Sequence, residues 1–314
     1  MPHAFCTDAD IASPALALRC GCALHARRRF SGALGGLFSV AALGAALPAW
    51  GQIPECRRSD FTKLASADQV EQAATQQYRQ MLQQASGQRA LAPTDHPQEQ
   101  RLRYIAKRII PFTAECNGRA RQWQWDVNLI GSNELNAFCM PGGKIAFYYG
   151  ILQQLQLNDD EVAMIMGHEM THALREHARE RMGKTAATRG AIEIGAALLG
   201  LGNGGRYLAG MGGELLTLRF GREDESEADL VGLELAARAG FDPRAGVTLW
   251  QKMAAASTGA PPQWLSTHPT GPTRIRDIEV NLPKVEPLFD RAPRPAQRFE
   301  PPARAAAKPA SAPQ

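Results

Sequence analysis

The 314-residue sequence lacks a strong excess of charge of either sign. Its 35 basic and 31 acidic residues give a formal net charge of +4. No basic stripe follows the first fifty residues, and nucleic-acid-binding domains depend on such a stripe. We therefore expect no nucleic-acid partner. The sequence also lacks internal repeats, which argues against a repeat architecture, and its 44% hydrophobic content is typical of a globular protein.

Cysteine is scarce, and none of the six cysteines has the spacing of a zinc finger. Three of them, Cys56, Cys116 and Cys139, lie beyond the first 51 residues. In an oxidising compartment Cys56 and Cys116 could pair, which would leave Cys139 as a small buried thiol. The sequence alone does not determine which two cysteines pair.

The first 51 residues have the pattern of an export signal. Three arginines at 27–29 precede an apolar run from Phe30 to Leu47 in which only two serines are polar. Small residues follow this run, so we expect a signal peptide over residues 1–51 with cleavage after Gly51. The alternative is an uncleaved membrane anchor, because the run is close to the ~20 residues that span a bilayer.

We expect the rest of the chain to form one domain over residues 52–282 and a disordered Pro/Ala/Arg-rich tail over 283–314. The apolar periodicity predicts an α+β, mainly helical fold with a small antiparallel sheet. Strands are expected at 122–130, 136–140 and 144–149. Helices are expected at 67–84, 99–110, 158–182, 223–239, 243–256 and 273–282.

The chemistry is expected at His168-Glu169-Met170-Thr171-His172, in the middle of the helix at 158–182. Residues 168 and 172 are one helical turn apart, so both imidazoles project from the same face, as two zinc ligands require. Glu169 lies beside them, where its carboxylate can take a proton from water polarised by the metal. His177 lies five residues after His172 and is expected at the surface.

A catalytic zinc needs a third protein ligand and an open position. The longer motif H-E-x-x-H-x-x-G-x-x-H is excluded, because the chain has Arg175 and Ala178 at its Gly and His positions. The alternative is a carboxylate from a second helix. Glu225 and Asp229 are four residues apart, so Glu225 could bind the metal while Asp229 orients a ligand histidine. An acidic helix N-terminus favoured by the helix dipole is the competing interpretation.

Together these motifs resemble the HtpX and CAAX-prenyl-protease family of gluzincin zinc peptidases. The segment H-E-M-T-H is followed by E-S-E-A-D at 225–229, similar to the family signature H-E-x-x-H…E-x-x-A-D. Asn136–Gly143 resembles the family segment N-A-F-x-x-P-G-G, and Ser266–Pro269 with Arg274 resembles its segment S-T-H-P…R-I. The similarity covers about residues 100–282 and is greatest to soluble, exported members of the BepA and LoiP type.

The resemblance implies a zincin-like fold with one Zn²⁺ per chain, bound by His168, His172 and Glu225. It implies an endopeptidase, with Glu169 as general base, that hydrolyses misfolded or unassembled polypeptides of the cell envelope. It further implies a periplasmic protein that could touch the membrane or the outer-membrane assembly machinery peripherally.

The other motifs allow hypotheses about the substrate. The strand at Asn136, Ala137 and Phe138 could run along the cleft and pair with an extended substrate backbone. Gly142 and Gly143 would then let that strand edge bend sharply. An ordinary hairpin turn is the alternative interpretation.

His268 has three interpretations: it could stabilise the oxyanion of the reaction, occupy the open zinc position in a latent enzyme, or be an ordinary loop histidine. Arg274 could pair with a carboxylate near the site or cap the last helix. The glycine-rich segment 190–216 could be a mobile cover that touches the cleft or a membrane, or a small-residue helix in the core. A chaperone-like protein and a structural zinc module remain as alternative functions, and the presence of Glu169 argues against the first.

Overall fold

The computed structural model describes residues 56, 58–198, 219–256, 263–268 and 273–304, with only the backbone described at 189–198. The expected signal peptide and most of the segment 190–216 lie outside the described residues. Within those ranges, no helix is long and apolar enough to cross a membrane. The described helices are α1 (Ala67–Gly87), α2 (Pro97–Cys116), α3 (Tyr149–Gln154), α4 (Asp159–Leu174), α5 (His177–Leu198), α6 (Arg222–Arg238), α7 (Ala245–Ala256), α8 (Gln263–Thr267) and α9 (Thr273–Arg291).

The three strands form one small sheet in the order β1–β3–β2, where β1 is Asp126–Ile130, β2 is Ala137–Met140 and β3 is Lys144–Tyr148. The mainly helical α+β class is confirmed, but the expectation of an antiparallel sheet is wrong for β1, which pairs parallel to β3. Strand β3 is buried at four of its five positions, so it occupies the centre. Strand β2 pairs only with β3 among the described strands, and it is an edge of the sheet.

Helix α4 is the centre of the domain. Its start is fixed by a capping box, in which the Asn158 side chain accepts from the Glu161 N–H and the Glu161 carboxylate accepts from the Asn158 N–H. Every residue of α4 except Asp160 is buried, which places both motif histidines in the interior. The helix ends at Leu174, earlier than expected, because Glu176 adopts a left-handed backbone conformation with φ 58°.

Helix α6 crosses α4 at a point where neither helix has a side chain. A Cβ atom at Gly232 would lie 2.5 Å from the backbone nitrogen of His168, and one at Gly167 would lie 2.5 Å from the Gly232 carbonyl oxygen. The two backbones can therefore meet only because both positions are glycine. This contact holds the acidic turn of α6 directly beside the motif histidines of α4.

The sequence predicts a disordered tail over 283–314, but its first part, residues 283–304, is folded. Helix α9 continues to Arg291, because Val285, Leu288 and Phe289 recur at helical spacing and are buried. The following residues pack against the N-terminus of α4, where the Phe299 N–H donates to Asp159 at 2.9 Å and Arg298 donates to Asp160 at 2.9 Å. The folded domain therefore extends beyond residue 282.

A disulfide joins Cys56 to Cys116 at the end of α2, which is the pairing that the sequence left as a hypothesis. Cys139 lies in β2 as a buried free thiol. Burial raises the pKa of this thiol well above its usual range, and the charge of Glu169 adds to the effect.

Candidate metal centre

Four side chains from three parts of the fold meet at one buried point. His168 and His172 come from α4, Glu225 comes from the first turn of α6, and His268 follows α8. One metal-binding atom from each residue lies within 4.8 Å of the others. The two Nε2 atoms of α4 are 3.1 Å apart, and each is 3.6 Å from an oxygen of Glu225. The structure thus brings the three predicted zinc ligands together.

The spacing of these atoms fits a tetrahedral zinc ion. With Zn–N bonds of 2.0–2.1 Å, two ligand atoms of a tetrahedral site are separated by about 3.3 Å. Nδ1 of His268 lies 3.3 Å from Nε2 of His168 and 3.0 Å from Oε1 of Glu225, so it matches the same spacing. A set of imidazole nitrogens and a carboxylate that point at one buried spot is also the donor chemistry that suits zinc.

Asp229 and Arg274 hold His168 from behind. Nδ1 of His168 is 3.0 Å from Oδ1 of Asp229, so its Nδ1–H can donate to the carboxylate and leave Nε2 as a lone pair for a metal. Arg274 donates to both oxygens of Asp229 at 2.6 Å and lies 2.7 Å from Oε2 of Glu225. Arg274 thus pairs with carboxylates at the site, which is the first of the two roles considered for it from the sequence.

The contacts of Asp229 and Glu225 favour the ionised form of both carboxyl groups. Burial raises the pKa of Asp229, but the Arg274 guanidinium and the His168 contact outweigh that effect and bring the pKa to about 2. Burial likewise opposes ionisation of Glu225, but its contacts with His268 and His168 lower the pKa below the usual range. Arg274 also lies 3.7 Å above the ring of Trp250, a cation–π contact that fixes its position. Both carboxylates are therefore charged at neutral pH.

His172 is held by partners that the sequence did not indicate. The ring of Phe220 stacks on it with centroids 3.9 Å apart. Nδ1 of His172 is 2.8 Å from Nδ1 of His177, and Nε2 of His177 is 3.2 Å from Glu227. The expectation of a surface position for His177 is wrong, since the residue is buried. The break after α4 turns its side chain back towards the site.

Glu169 lies beside the metal-binding atoms and is only 2% exposed. The indole N–H of Trp264 donates to Oε1 of Glu169 at 2.6 Å. Nε2 of His268 is 3.5 Å from the same oxygen, and the His268 ring stacks on Trp264. Burial lowers the pKa of His268, but the carboxylates of Glu169 and Glu225 outweigh it and raise the pKa. The interpretation of His268 as an ordinary loop histidine does not fit this position.

A cavity joins the site to the free edge of β2. Its lining includes Asn136 and the β2 residues Ala137 and Phe138, together with Glu169, His172 and His268 from the site.

Gly142 and Gly143 lie elsewhere, in the turn between β2 and β3. Both have left-handed backbone conformations, with φ of 83° and 76°. A Cβ atom at Gly143 would lie 2.8 Å from the ring of Trp125. These glycines are required by the turn, and neither lines the cavity.

Four contributors to the site were missed from the sequence: the Gly167–Gly232 crossing, Phe220, Trp264 and the contact between His172 and His177. A glycine in the middle of each of two predicted helices was the one available signal, because interior glycine usually marks close backbone contact. Aromatic residues near a motif carry no comparable signal, since most aromatic side chains only fill the core.

Comparison with known proteins places the chain in a family. The profile of peptidase family M48 matches residues 96–281. The mitochondrial metalloendopeptidase OMA1 of Schizosaccharomyces pombe is 33% identical over 237 residues, which cover 74% of this chain and 67% of the relative. The OMA1 protein of Bos taurus is 31% identical over 59% of this chain and 38% of its own length.

A bacterial relative is also similar. The beta-barrel assembly-enhancing protease of Escherichia coli is 29% identical over 170 residues, which cover 51% of this chain and 35% of that protein. The chain thus spans a little over a third of the length of the bovine and bacterial relatives. The family match confirms the resemblance drawn from the motifs. The chain therefore belongs to peptidase family M48 and is a metalloendopeptidase.

Proposed function

We propose that this chain is a zinc-dependent endopeptidase in which His168, His172 and Glu225 hold one Zn²⁺ and Glu169 is the general base. The observation that carries the proposal is the buried group of metal-binding atoms within 4.8 Å of one another, with the Glu169 carboxylate beside it. When bound, zinc supplies a Lewis acid that lowers the pKa of water and polarises a carbonyl group.

Glu169 takes the proton of the attacking water and passes it to the leaving amine. A carboxylate in this role must be within hydrogen-bond reach of the reacting atoms and correctly oriented. The Trp264 indole supports that orientation, because its N–H fixes one oxygen of Glu169. Asp229 and Arg274 act indirectly, by keeping His168 and Glu225 in place.

The substrate is an extended polypeptide that pairs with the edge of β2. Asn136, Ala137 and Phe138 supply the strand edge, and the cavity beside them leads to Glu169. The catalytic groups are buried, so a folded protein surface cannot reach them and an unfolded segment can. This geometry favours misfolded or unassembled proteins as substrates.

The cell envelope is the proposed location of this activity. The export-signal pattern of residues 1–51 and the Cys56–Cys116 disulfide both suit an oxidising compartment outside the cytoplasm. The E. coli relative is named for enhancing beta-barrel assembly, and we extend that context to this chain: a periplasmic enzyme in peripheral contact with the membrane or its assembly machinery.

Latency is a second candidate property of the same site. Nδ1 of His268 already has the spacing of a fourth metal ligand, 3.3 Å from His168 and 3.0 Å from Glu225. A histidine in that position would exclude water and hold the enzyme inactive until it moves. The competing role is stabilisation of the oxyanion after His268 has moved away from the metal.

The decisive experiment compares wild type with Glu169→Gln for cleavage of casein or another unfolded protein, with zinc quantified in both. We expect Glu169→Gln to keep its zinc and to lose at least about 10²-fold in cleavage rate, since it keeps the size of the side chain without its basicity. Glu279→Gln makes the same chemical change at an exposed position of α9 and should retain full activity. Equal cleavage by wild type and Glu169→Gln would overturn the assignment.

His268→Ala separates the two roles of His268 in the same assay. A rise in cleavage with zinc retained supports latency, because removal of the fourth donor opens the metal to water. A fall of ~10²-fold supports oxyanion stabilisation. Unchanged activity contradicts both.

A further inference from the structure

A hydrogen-bonded relay runs from the buried helix α4 to Glu227, a partly exposed residue of α6. Nδ1 of His172 is 2.8 Å from Nδ1 of His177, and Nε2 of His177 is 3.2 Å from Oε2 of Glu227. Arg175 donates to the same oxygen of Glu227 at 2.9 Å and 2.6 Å. From these contacts we propose that His177 is a positioning residue, which orients the metal-binding imidazole of His172 and connects it to Glu227. The inference rests on the proposed zinc role of His172.

The hydrogen-bond directions follow from the metal-binding role. Nε2 of His172 must be an unprotonated lone pair to bind a metal, so the ring proton lies on Nδ1 and is donated to His177. Nδ1 of His177 is then the acceptor, and its Nε2–H donates to the Glu227 carboxylate. This single set of tautomers satisfies every contact of the relay. Any other tautomer of His177 would place two N–H groups or two lone pairs against each other.

The backbone is built to bring His177 to this position. In a continuous helix, a residue five positions after His172 would point about 140° away from it around the axis. The chain instead leaves the helix at Arg175 and passes through Glu176 with φ 58°, a conformation uncommon for a residue other than glycine. Glu176 is itself buried and paired with Arg179 at 2.5 Å. The break therefore places the His177 ring 5.0 Å from the His172 ring.

The two histidines of α4 thus have different supports. Nδ1–H of His168 donates directly to the carboxylate of Asp229, whereas Nδ1–H of His172 is linked to the Glu227 carboxylate through the His177 imidazole. Partners of this kind fix the tautomer and the ring orientation of a ligand, and their loss typically costs 10- to 100-fold in metal affinity. Removal of the His177 acceptor should therefore weaken zinc binding without removing any atom of the metal site.

Two amide substitutions separate this role from simple packing. Asn places its side-chain oxygen near the position of Nδ1, so His177→Asn keeps an acceptor for His172 and loses the link to Glu227. Gln places its amide near the position of Nε2, so His177→Gln keeps the link to Glu227 and leaves the His172 N–H without an acceptor. Both variants introduce the same functional group, and they differ in which half of the relay they preserve.

The experiment measures the zinc dissociation constant of the full chain by chelator competition, together with thermal unfolding of the zinc-free protein. We expect His177→Asn to bind zinc within about threefold of wild type and His177→Gln to bind it 10- to 100-fold more weakly. Thr248→Val is the matched control, because it removes a side-chain hydrogen bond to Glu161 away from the metal-binding atoms. It should lower the unfolding temperature and leave zinc affinity unchanged.

The outcomes are distinguishable. Equal zinc affinity of the Asn and Gln variants, with or without a change in unfolding temperature, overturns the role of His177 while wild-type zinc binding still stands. If the Asn variant binds more weakly than the Gln variant, the direction of the relay is wrong and the inference also fails. Absence of zinc binding by the wild-type chain would instead overturn the proposed function itself.

Discussion

Glu234 is a buried carboxyl group that contributes to the pH dependence of the domain's stability. It lies on α6 with 3% exposure, and its Oε1 has no hydrogen-bond partner among the described residues. Nη1 of Arg238 lies 3.8 Å from this oxygen. Burial raises the pKa of Glu234 to about 7; Arg238 opposes this shift and Glu115 adds to it. At neutral pH the carboxyl is therefore partly protonated in the folded protein.

The sign of the pH dependence follows from this shift. Between about pH 4.5 and pH 7 the folded state binds the Glu234 proton and the unfolded state has released it, so stability falls as the pH rises. Glu234→Gln removes the carboxyl group, and with it the cost of ionising a buried group as the pH rises. We expect the variant to be more stable than wild type by about 1–3 kcal/mol at pH 8, and by less than about 1 kcal/mol at pH 5. Urea unfolding at both pH values measures the difference, and a gain that is equal at pH 5 and pH 8 would contradict it.

Among the elements, the crossing of α4 and α6 decides whether a metal site forms. Glu225 and Asp229 can reach His168 only because Gly167 and Gly232 allow the two backbones to touch. A side chain at this point meets backbone atoms on the other helix, and backbone cannot move aside as a flexible side chain can. The geometry of the site is therefore set two turns away from Glu225.

Gly232→Ala tests this dependence. Its Cβ atom would lie 2.5 Å from the backbone nitrogen of His168, so the helices must separate. We expect a loss of about 2–3 kcal/mol in stability together with weaker zinc binding. Gly87→Ala is the control, because no atom lies within 4 Å of its added Cβ. That change should leave zinc binding unchanged and raise stability slightly. Wild-type zinc affinity in Gly232→Ala would show that the site does not depend on the crossing.

At the scale of the whole molecule, the Cys56–Cys116 disulfide ties the start of the described chain to the end of α2. The bridge closes a loop of 60 residues, and in the chain-entropy account such a loop contributes up to about 4 kcal/mol by restricting the unfolded state. We expect a reducing agent to lower the free energy of unfolding by 2–4 kcal/mol, about the range found for natural disulfides. Thermal unfolding with and without reductant measures this.

The double variant Cys56→Ala/Cys116→Ala is the control for that measurement. It should have the stability of the reduced wild type and should not respond to reductant, because Cys139 is the only cysteine left among the described residues and it is a free thiol. If the reductant lowers the stability of the double variant by as much as that of the wild type, the loss of stability does not come from the Cys56–Cys116 disulfide.

Prediction from sequence succeeded where structure is local. The start of α4 near residue 158, the neighbouring strands β2 and β3, and the helical position of His168 and His172 each depend on residues a few positions apart. It failed where burial against distant elements outweighs local propensity. Helix α9 continues through two prolines because its apolar face is buried. Strand β1 pairs in parallel with β3, from which β2 separates it in the chain, so this pairing is not a local hairpin contact.

The sequence by itself determined the chemistry of this protein: two imidazoles on one helical face and a carboxylate between them, because a 3.6-residue repeat fixes that geometry without any other contact. Only the tertiary structure decided which atoms surround the metal-binding point. The crossing at Gly167 and Gly232 brings Glu225 to this point, and helix α8 brings Trp264 and His268. The left-handed turn at Glu176 brings His177 against His172. Such contacts depend on how whole elements pack, and packing is set by buried surface far apart in the chain.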